Sequence, residues 1–262
     1  MTSIAMNFRV VRALGWRSVK QTFRRPQLMA PIIVFPTLLL AVQTGGAGAA
    51  VNLPGFPPVQ SFLQFMLAGA MMQSLILAGN SGAIALAIEI ETGFTDRLLA
   101  SPIARFTIVL GRLTGTAALA LFGTLWFFAI GLVFGAEIDG GPLGALVALA
   151  LAAAAALAIG GIIAAVALRT GNTSVVQGLF PLVFVVLFLS TAFFPQGLMV
   201  EPAKSIAVYN PLSFIVEGIR GPIVSGISAA DVRDAVLSIA GIAVLSAFLS
   251  ARALRYRLRT GG

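Results

Sequence analysis

The sequence predicts an all-α membrane protein: six transmembrane helices, an amphipathic interfacial helix at the N-terminus, and a further helical segment on the outer side between spans five and six. Three observations predict it. Of 262 residues, 58% are hydrophobic and only 10% charged, against about 45–50% and about 25% in soluble chains. The apolar residues come in runs of the roughly 20-residue length that crosses a hydrocarbon core. The charges collect in a few islands between those runs, where the chain can reach water.

The elements follow in order. Residues 7–23 place Phe8, Val11, Leu14 and Val19 at helical spacing among Arg9, Arg12, Arg17 and Lys20, which predicts an amphipathic helix in the inner interface. The same cations also serve as a basic flank that holds this end inside. A compact apolar core and a small-residue cleavage site are both missing, so the segment is expected to remain in the mature protein. The first span, 28–43 and onward, contains Pro31 and Pro36, and prolines in lipid need neighbours that re-satisfy the freed carbonyls. Uncharged breakers at 44–58 predict an outer loop.

The second span, 62–88, carries Gln73 and Asn80 on nearly one face with Met66 and Gly69. Hydrogen bonding to another helix is the favoured reading of the amides, and a substrate path lined by them is the alternative. The third span covers 106–134, Glu137 and Asp139 mark a turn, and the fourth, 143–168, is rich in alanine and glycine. Gly111/Gly115 and Gly131/Gly135 have a spacing that permits close helix approach, although 28 glycines also produce such matches by chance. The fifth span, 175–193, sets Phe180, Phe184 and Phe188 at four-residue steps behind Gln177 and Pro181. Such a stripe packs helices, and on a dimer seam it can also face a ligand. Beyond it, Asn210 is an N-cap and Pro211 a first helical residue. Leu212, Ile215, Val216 and Ile219 then form one apolar face, with Glu217 and Arg220 polar, which predicts a short helix at the outer interface. The sixth span, 232–254, ends in Arg252, Arg255, Arg257 and Arg259.

Orientation follows from the cations. The N-terminus, the island at 89–112, the turn at Arg169 and the C-terminus hold 14 of the 17 Lys and Arg residues, which puts both termini and that island on the cytoplasmic side. The island contains Glu89, Glu91, Asp96, Arg97, Arg105 and Arg112, a mixture of signs that topology alone does not require. Cysteine and histidine are absent, which removes disulfides, thiolate or imidazole metal sites and histidine-based triads. No span has a carboxylate near its middle to couple protons. Neither Lys20 nor Lys204 follows the glycine of a phosphate loop, so energy must come from a separate subunit docked on the charged island.

The basic N-terminal helix, the proline-bearing first span, the loop 91–105, the Phe193-Phe194-Pro195 segment and Tyr209-Asn210-Pro211 with Arg220 together resemble the ABC-2 type permeases. The daunorubicin-resistance exporter branch is the most similar, and the match covers essentially the whole chain, 1–262, as one transmembrane domain: 1–26, six spans in 27–254, and the tail 255–262. The resemblance implies a permease subunit in a bacterial plasma membrane that exports a hydrophobic or amphipathic drug-like molecule or a lipid. Its partners would be a second permease, membrane lipid and a cytoplasmic ATP-binding subunit that carries ATP and Mg, with no cofactor on this chain and no nucleic acid. Glu91, Gly93, Asp96, Arg97, Pro102 and Arg105 would form the coupling loop, with Arg169 and Asn172 in a second contact. Met66, Gln73, Asn80, Gln177, Phe180, Phe184 and Phe188 would line the path. The outer segment would be a re-entrant hairpin with Pro195, Asn210, Pro211, Glu217 and Arg220 as its gate. The rival readings are an ATP-independent channel or scramblase and a membrane assembly protein without transport activity.

Overall fold

A computed structural model describes residues 4–24, 26–94 and 105–260, and its regular structure is helical. Among these residues ten α-helices follow in order: α1 Ile4–Phe23, α2 Pro26–Ala47, α3 Phe62–Glu91, α4 Arg105–Val133, α5 Gly141–Thr170, α6 Thr173–Gly178, α7 Phe180–Phe188, α8 Ala203–Tyr209, α9 Pro211–Val224 and α10 Ala229–Thr260. Five of them, α2 through α5 and α10, are long and apolar enough to cross a membrane. The predicted fifth span, 175–193, takes a different form. It is divided into α6 and α7, which together run Thr173–Phe188, about 24 Å at 1.5 Å per residue and short of a hydrocarbon core of about 30 Å. Pro181 sits in the first turn of α7, where its missing N–H weakens continuity with α6.

The chain runs back and forth between two ends. A basic end gathers the last turn of α3, the α5–α6 turn and the tail of α10, since Gly171 lies against Ile90 and Arg257. The far end gathers Gln64, Glu137 and Ile223, because the Gln64 amide donates to the carbonyls of the other two at 3.0 and 3.3 Å.

Helix α3 is the central rod. Its apolar window is 94% buried, against 17% for those of α2 and α10, and it packs against α2, α4, α5, α6, α7 and α9. Small residues allow that crowding. Gly79 crosses Gly160 of α5 so closely that a Cβ on Gly79 would lie 2.9 Å from the Gly160 Cα. Gly82 receives Thr116 of α4, and Gly123 of α4 receives Ser74. Of the spaced glycines noted in the sequence, Gly115 seats Ser18 of α1 and Gly131 seats Leu67 of α3.

Two helices are fixed by protein contacts that their amphipathic patterns alone do not show. Helix α1 packs along α4, with Gly15 against Thr114 and the Phe23 ring edge-on to Phe122 at 5.6 Å, so one of its faces is committed to protein. Helix α9 packs one face into the core: Leu212, Ile215, Val216 and Ile219 are buried as their stripe predicts and Arg220 is buried with them, while Pro211 and Phe214 on the other face are exposed. Through both of its prolines, α2 continues unbroken, Trp126 of α4 donates to Thr37 at 3.1 Å, and Val34, Leu38 and Val42 remain exposed.

A β-branched side chain at the α3–α5 crossing has no room to be accommodated. Gly79→Val should lower the thermal unfolding midpoint in detergent, with a loss of about 1–3 kcal/mol. Gly241→Ala, at a position with open space around it inside α10, should not lower the midpoint.

Candidate functional site

At the basic end, two segments far apart in sequence meet. Helix α3 stops because Gly93 adopts a left-handed conformation, φ +69°, its N–H donating to the Ile90 carbonyl at 2.9 Å. Glu91, in the last turn, accepts a hydrogen bond from the Thr173 backbone N–H at 2.7 Å. Thr173 opens α6, and Asn172 caps that helix through its Oδ1, which accepts from Ser174 N–H at 2.8 Å and Val175 N–H at 3.2 Å. Glu91 therefore adds a full negative charge to the N-terminal N–H groups of α6. Gly171 joins α5 to α6 with φ +57°, and a Cβ there would lie 2.9 Å from Ile90 Cγ2. Arg169 places its guanidinium 5.5 Å from the Tyr256 ring centre.

A third element joins them. Arg17 of α1 reaches Glu89 at 3.5 Å and lies 3.9 Å above the Phe94 ring, which ties the N-terminal helix to the segment where α3 ends. Asp96, Arg97 and Pro102 lie outside the described residues, and Arg105 begins α4 with its side chain outside them. Sequence reasoning did not assign Arg17, Thr173 or Tyr256 to this site. Thr173 contributes only a backbone N–H, which has no side-chain signature.

The residues predicted to line a path are divided between interior and surface. Met66, Gln73 and Asn80 are buried along α3. The oxygens Gln73 Oε1 and Asn80 Oδ1 have no hydrogen-bond partner among the described residues, so the helix-to-helix bonds expected of them are not made through those atoms. Gln177 and Phe188 are exposed on α6 and α7, while Phe184 is buried. Phe180, Phe184 and Phe188 form a ladder with centroid spacings of 5.0 and 5.3 Å that stacks onto Phe193 at 4.5 Å. Phe35 of α2 meets Phe184 edge-on at 5.6 Å, so the stripe first packs α7 onto α2.

At the far end a polar network holds α9 in the core. Arg220 is 5% exposed, and its guanidinium donates to the carbonyls of Phe65 at 3.2 Å, Thr191 at 2.9 Å and Ala192 at 3.1 Å. It pairs with Glu217 at 2.6 Å and lies 3.9 Å over the Phe65 ring. The Thr191 hydroxyl donates to the same Glu217 oxygen at 2.6 Å. Asn210 contributes twice, accepting from Leu212 N–H at 2.9 Å and donating its amide to the Val186 carbonyl at 2.7 Å. Of the predicted gate, Asn210 and Pro211 start α9, Glu217 and Arg220 lie on it, and Pro195 joins Glu217, Arg220, Phe56 and Asp231 around a cavity of about 480 Å³. The sequence-based view of Arg220 as a polar residue at an interface is thus corrected. It is drawn inward by the carbonyls left without partners where α7 ends.

Removing that guanidinium strands the Thr191 and Ala192 carbonyls and leaves Glu217 without its cation. Arg220→Met should lower stability by about 3–5 kcal/mol in denaturant titrations of the detergent-solubilised protein. Arg220→Lys should recover only part of the loss, because an ammonium lacks the planar fork that serves several acceptors at once.

Comparison with known proteins identifies the chain's relatives. Residues 9–224 match the family described as ABC-2 type transporter. A chain of Porphyra purpurea that carries the name transport permease ycf38 is 31% identical over 80% of this chain and 72% of its own length. A chain of Mycobacterium tuberculosis named as doxorubicin resistance ABC transporter permease protein DrrC is 26% identical over 82% of this chain and 77% of its own. Daunorubicin resistance ABC transporter permease protein DrrB1 of Streptomyces coeruleorubidus is 25% identical, with 76% and 69% covered. With most of its length matched by the family and its apolar helices long enough to span lipid, this chain belongs to the ABC-2 type transporter permeases.

Proposed function

We propose that the chain is the membrane subunit of an ATP-driven exporter, in which a separate cytoplasmic ATP-binding subunit, carrying ATP and Mg, pushes on the basic end. The observation that carries this reading is the Glu91 to Thr173 bond. It joins the two segments expected to touch the ATP-binding subunit, so a force on either turn reaches α3 and α6 together. Gly93, Asp96, Arg97, Pro102 and Arg105 complete the larger contact, and Arg169 and Asn172 the smaller. In this reading α6 and α7 with the residues up to 193 make the fifth of six crossings, both termini are cytoplasmic, and the membrane is the bacterial plasma membrane.

The exposed apolar faces of α2 and α7, with Phe35, Leu182, Val185 and Phe188, are where a second permease would complete a path. Met66, Gln73, Asn80, Gln177 and the Phe180, Phe184 and Phe188 ladder flank that seam. The far-end segment from Pro195 to the Glu217–Arg220 pair would gate it as a re-entrant hairpin. The cargo is a hydrophobic or amphipathic small molecule or a lipid, which is supported by the resistance names of two relatives and by the exposed apolar side chains Phe35, Leu182, Val185 and Phe188.

The test is reconstitution of the chain with the ATP-binding subunit in proteoliposomes. Cargo should move only with hydrolysable ATP and that subunit, and movement without either would return the reading to a passive channel or scramblase. Glu91→Ala should reduce permease-stimulated ATP hydrolysis severalfold while the two proteins still co-purify. Arg97→Glu with Arg105→Glu should abolish co-purification itself. Hydrolysis unchanged in both variants would refute the coupling role.

A further inference from the structure

Helix α1 uses one side against α4, through Gly15 beside Thr114 and Ser18 beside Gly115. Its other side presents Ala13, Trp16, Arg17, Lys20, Gln21 and Arg24, which line a shallow groove of about 540 Å³. These positions recur at helical steps, so they form one stripe. The stripe has three cations and no carboxylate along it, and Trp16 stands at its edge, 71% exposed. Arg17 forms the inner wall of the groove, since its guanidinium turns toward Glu89 and Phe94. Lys20 and Arg24 are exposed on the outer wall.

We infer that this groove binds the headgroup of an anionic membrane phospholipid, with Lys20 and Arg24 on the phosphate and the Trp16 ring against the glycerol and upper acyl chains. Charge supports it, because Arg17 is held by Glu89 while Lys20 and Arg24 face a groove lined by no acid, and an anion is their complement. Position supports it as well. Arg24 precedes by two residues the start of α2 at Pro26, and the apolar window of that helix opens at Met29, so the groove lies where hydrocarbon begins. An exposed indole at that depth suits the boundary between headgroups and chains, whereas a soluble anion or a polar protein surface gives it nothing to bury. Lysine and arginine extend their charged heads from such a site toward phosphate while their stems stay apolar. The inference requires only that α2 spans the membrane and is independent of coupling to ATP.

The experiment uses the full chain with Trp126→Phe, which leaves Trp16 as the single indole of the two in the sequence. The protein is placed in nanodiscs of phosphatidylcholine containing a small fraction of either acyl-brominated phosphatidylglycerol or acyl-brominated phosphatidylcholine, and quenching of Trp16 is read. Brominated phosphatidylglycerol should quench at much the lower fraction. Each cation near an anionic surface contributes about 1 kcal/mol, so Lys20→Gln with Arg24→Gln should reduce the preference by about 30-fold, and either change alone by about fivefold. Arg252→Gln with Arg255→Gln, which removes the same charge from exposed positions on α10, should leave the preference intact. Equal quenching by the two lipids overturns the inference, as does a preference that survives the groove variants or is lost equally in the α10 variant. So does abolition of the preference by soluble glycerol phosphate, which would make the site one for an aqueous anion. Absence of quenching by either lipid would show Trp16 covered by protein and would overturn it too. Should the double variant fail to fold, the two single variants decide.

Discussion

The requirement that governs this structure is that no backbone carbonyl within reach of lipid may go without a partner. It is met most directly at Arg220. Helix α7 ends at Phe188, and the turn after it leaves carbonyls facing the interior rather than water. Asn210 takes Val186, the Ser190 hydroxyl takes Leu187, and Arg220 takes Thr191 and Ala192. A buried cation is costly by itself, but here it is paired with Glu217 and saturated with acceptors. The apolar face of α9 can then enter the core because its one charged member has a use there. The far end of α3 is fixed by the same group, through the Phe65 carbonyl.

Helix α3 connects that network to the basic end. Its far end is held by the Gln64 amide and the Phe65 carbonyl, its middle by glycine contacts with α4 and α5, and its last turn by Glu91 on Thr173 and Glu89 on Arg17. The two ends differ in kind. The far end is bound by buried polar groups serving backbone carbonyls, whereas the basic end joins a buried apolar cluster that includes Ile90, Leu168, Val176 and Ala253 to polar contacts at its surface, which water and salt weaken.

Much of the fold was legible in the sequence. Spans expected at 62–88, 106–134, 143–168 and 232–254 correspond to α3, α4, α5 and α10 within a few residues, because apolar runs of that length have few alternatives. Asn210 and Pro211 marked the start of α9 through capping chemistry that depends only on neighbours. The shortening of the fifth span was not legible. The apolar run continues past Phe188, and what ends the helix is an amide and a guanidinium supplied from 24 and 29 residues further on. For the same reason, charge alone assigned Arg220 to an interface, when its acceptors are backbone atoms as far as 155 residues away. At the basic end the charge island marked the segment in which Glu91 meets Thr173. The Glu91 contact with a backbone N–H, and the commitment of α1 to α4 through Gly15 and Ser18, left no mark that a single sequence displays.

The touching backbones of Gly79 and Gly160 have a mechanical meaning. Where two rods cross in direct contact, a tilt of one turns about the crossing. From this fulcrum α3 extends about 18 Å to Glu91 and about 25 Å to Phe62, at 1.5 Å per residue. A rigid lever with those arms reverses the sense of a small tilt and enlarges it by about 1.4-fold, so a nudge at the short arm emerges as a larger swing at the long one.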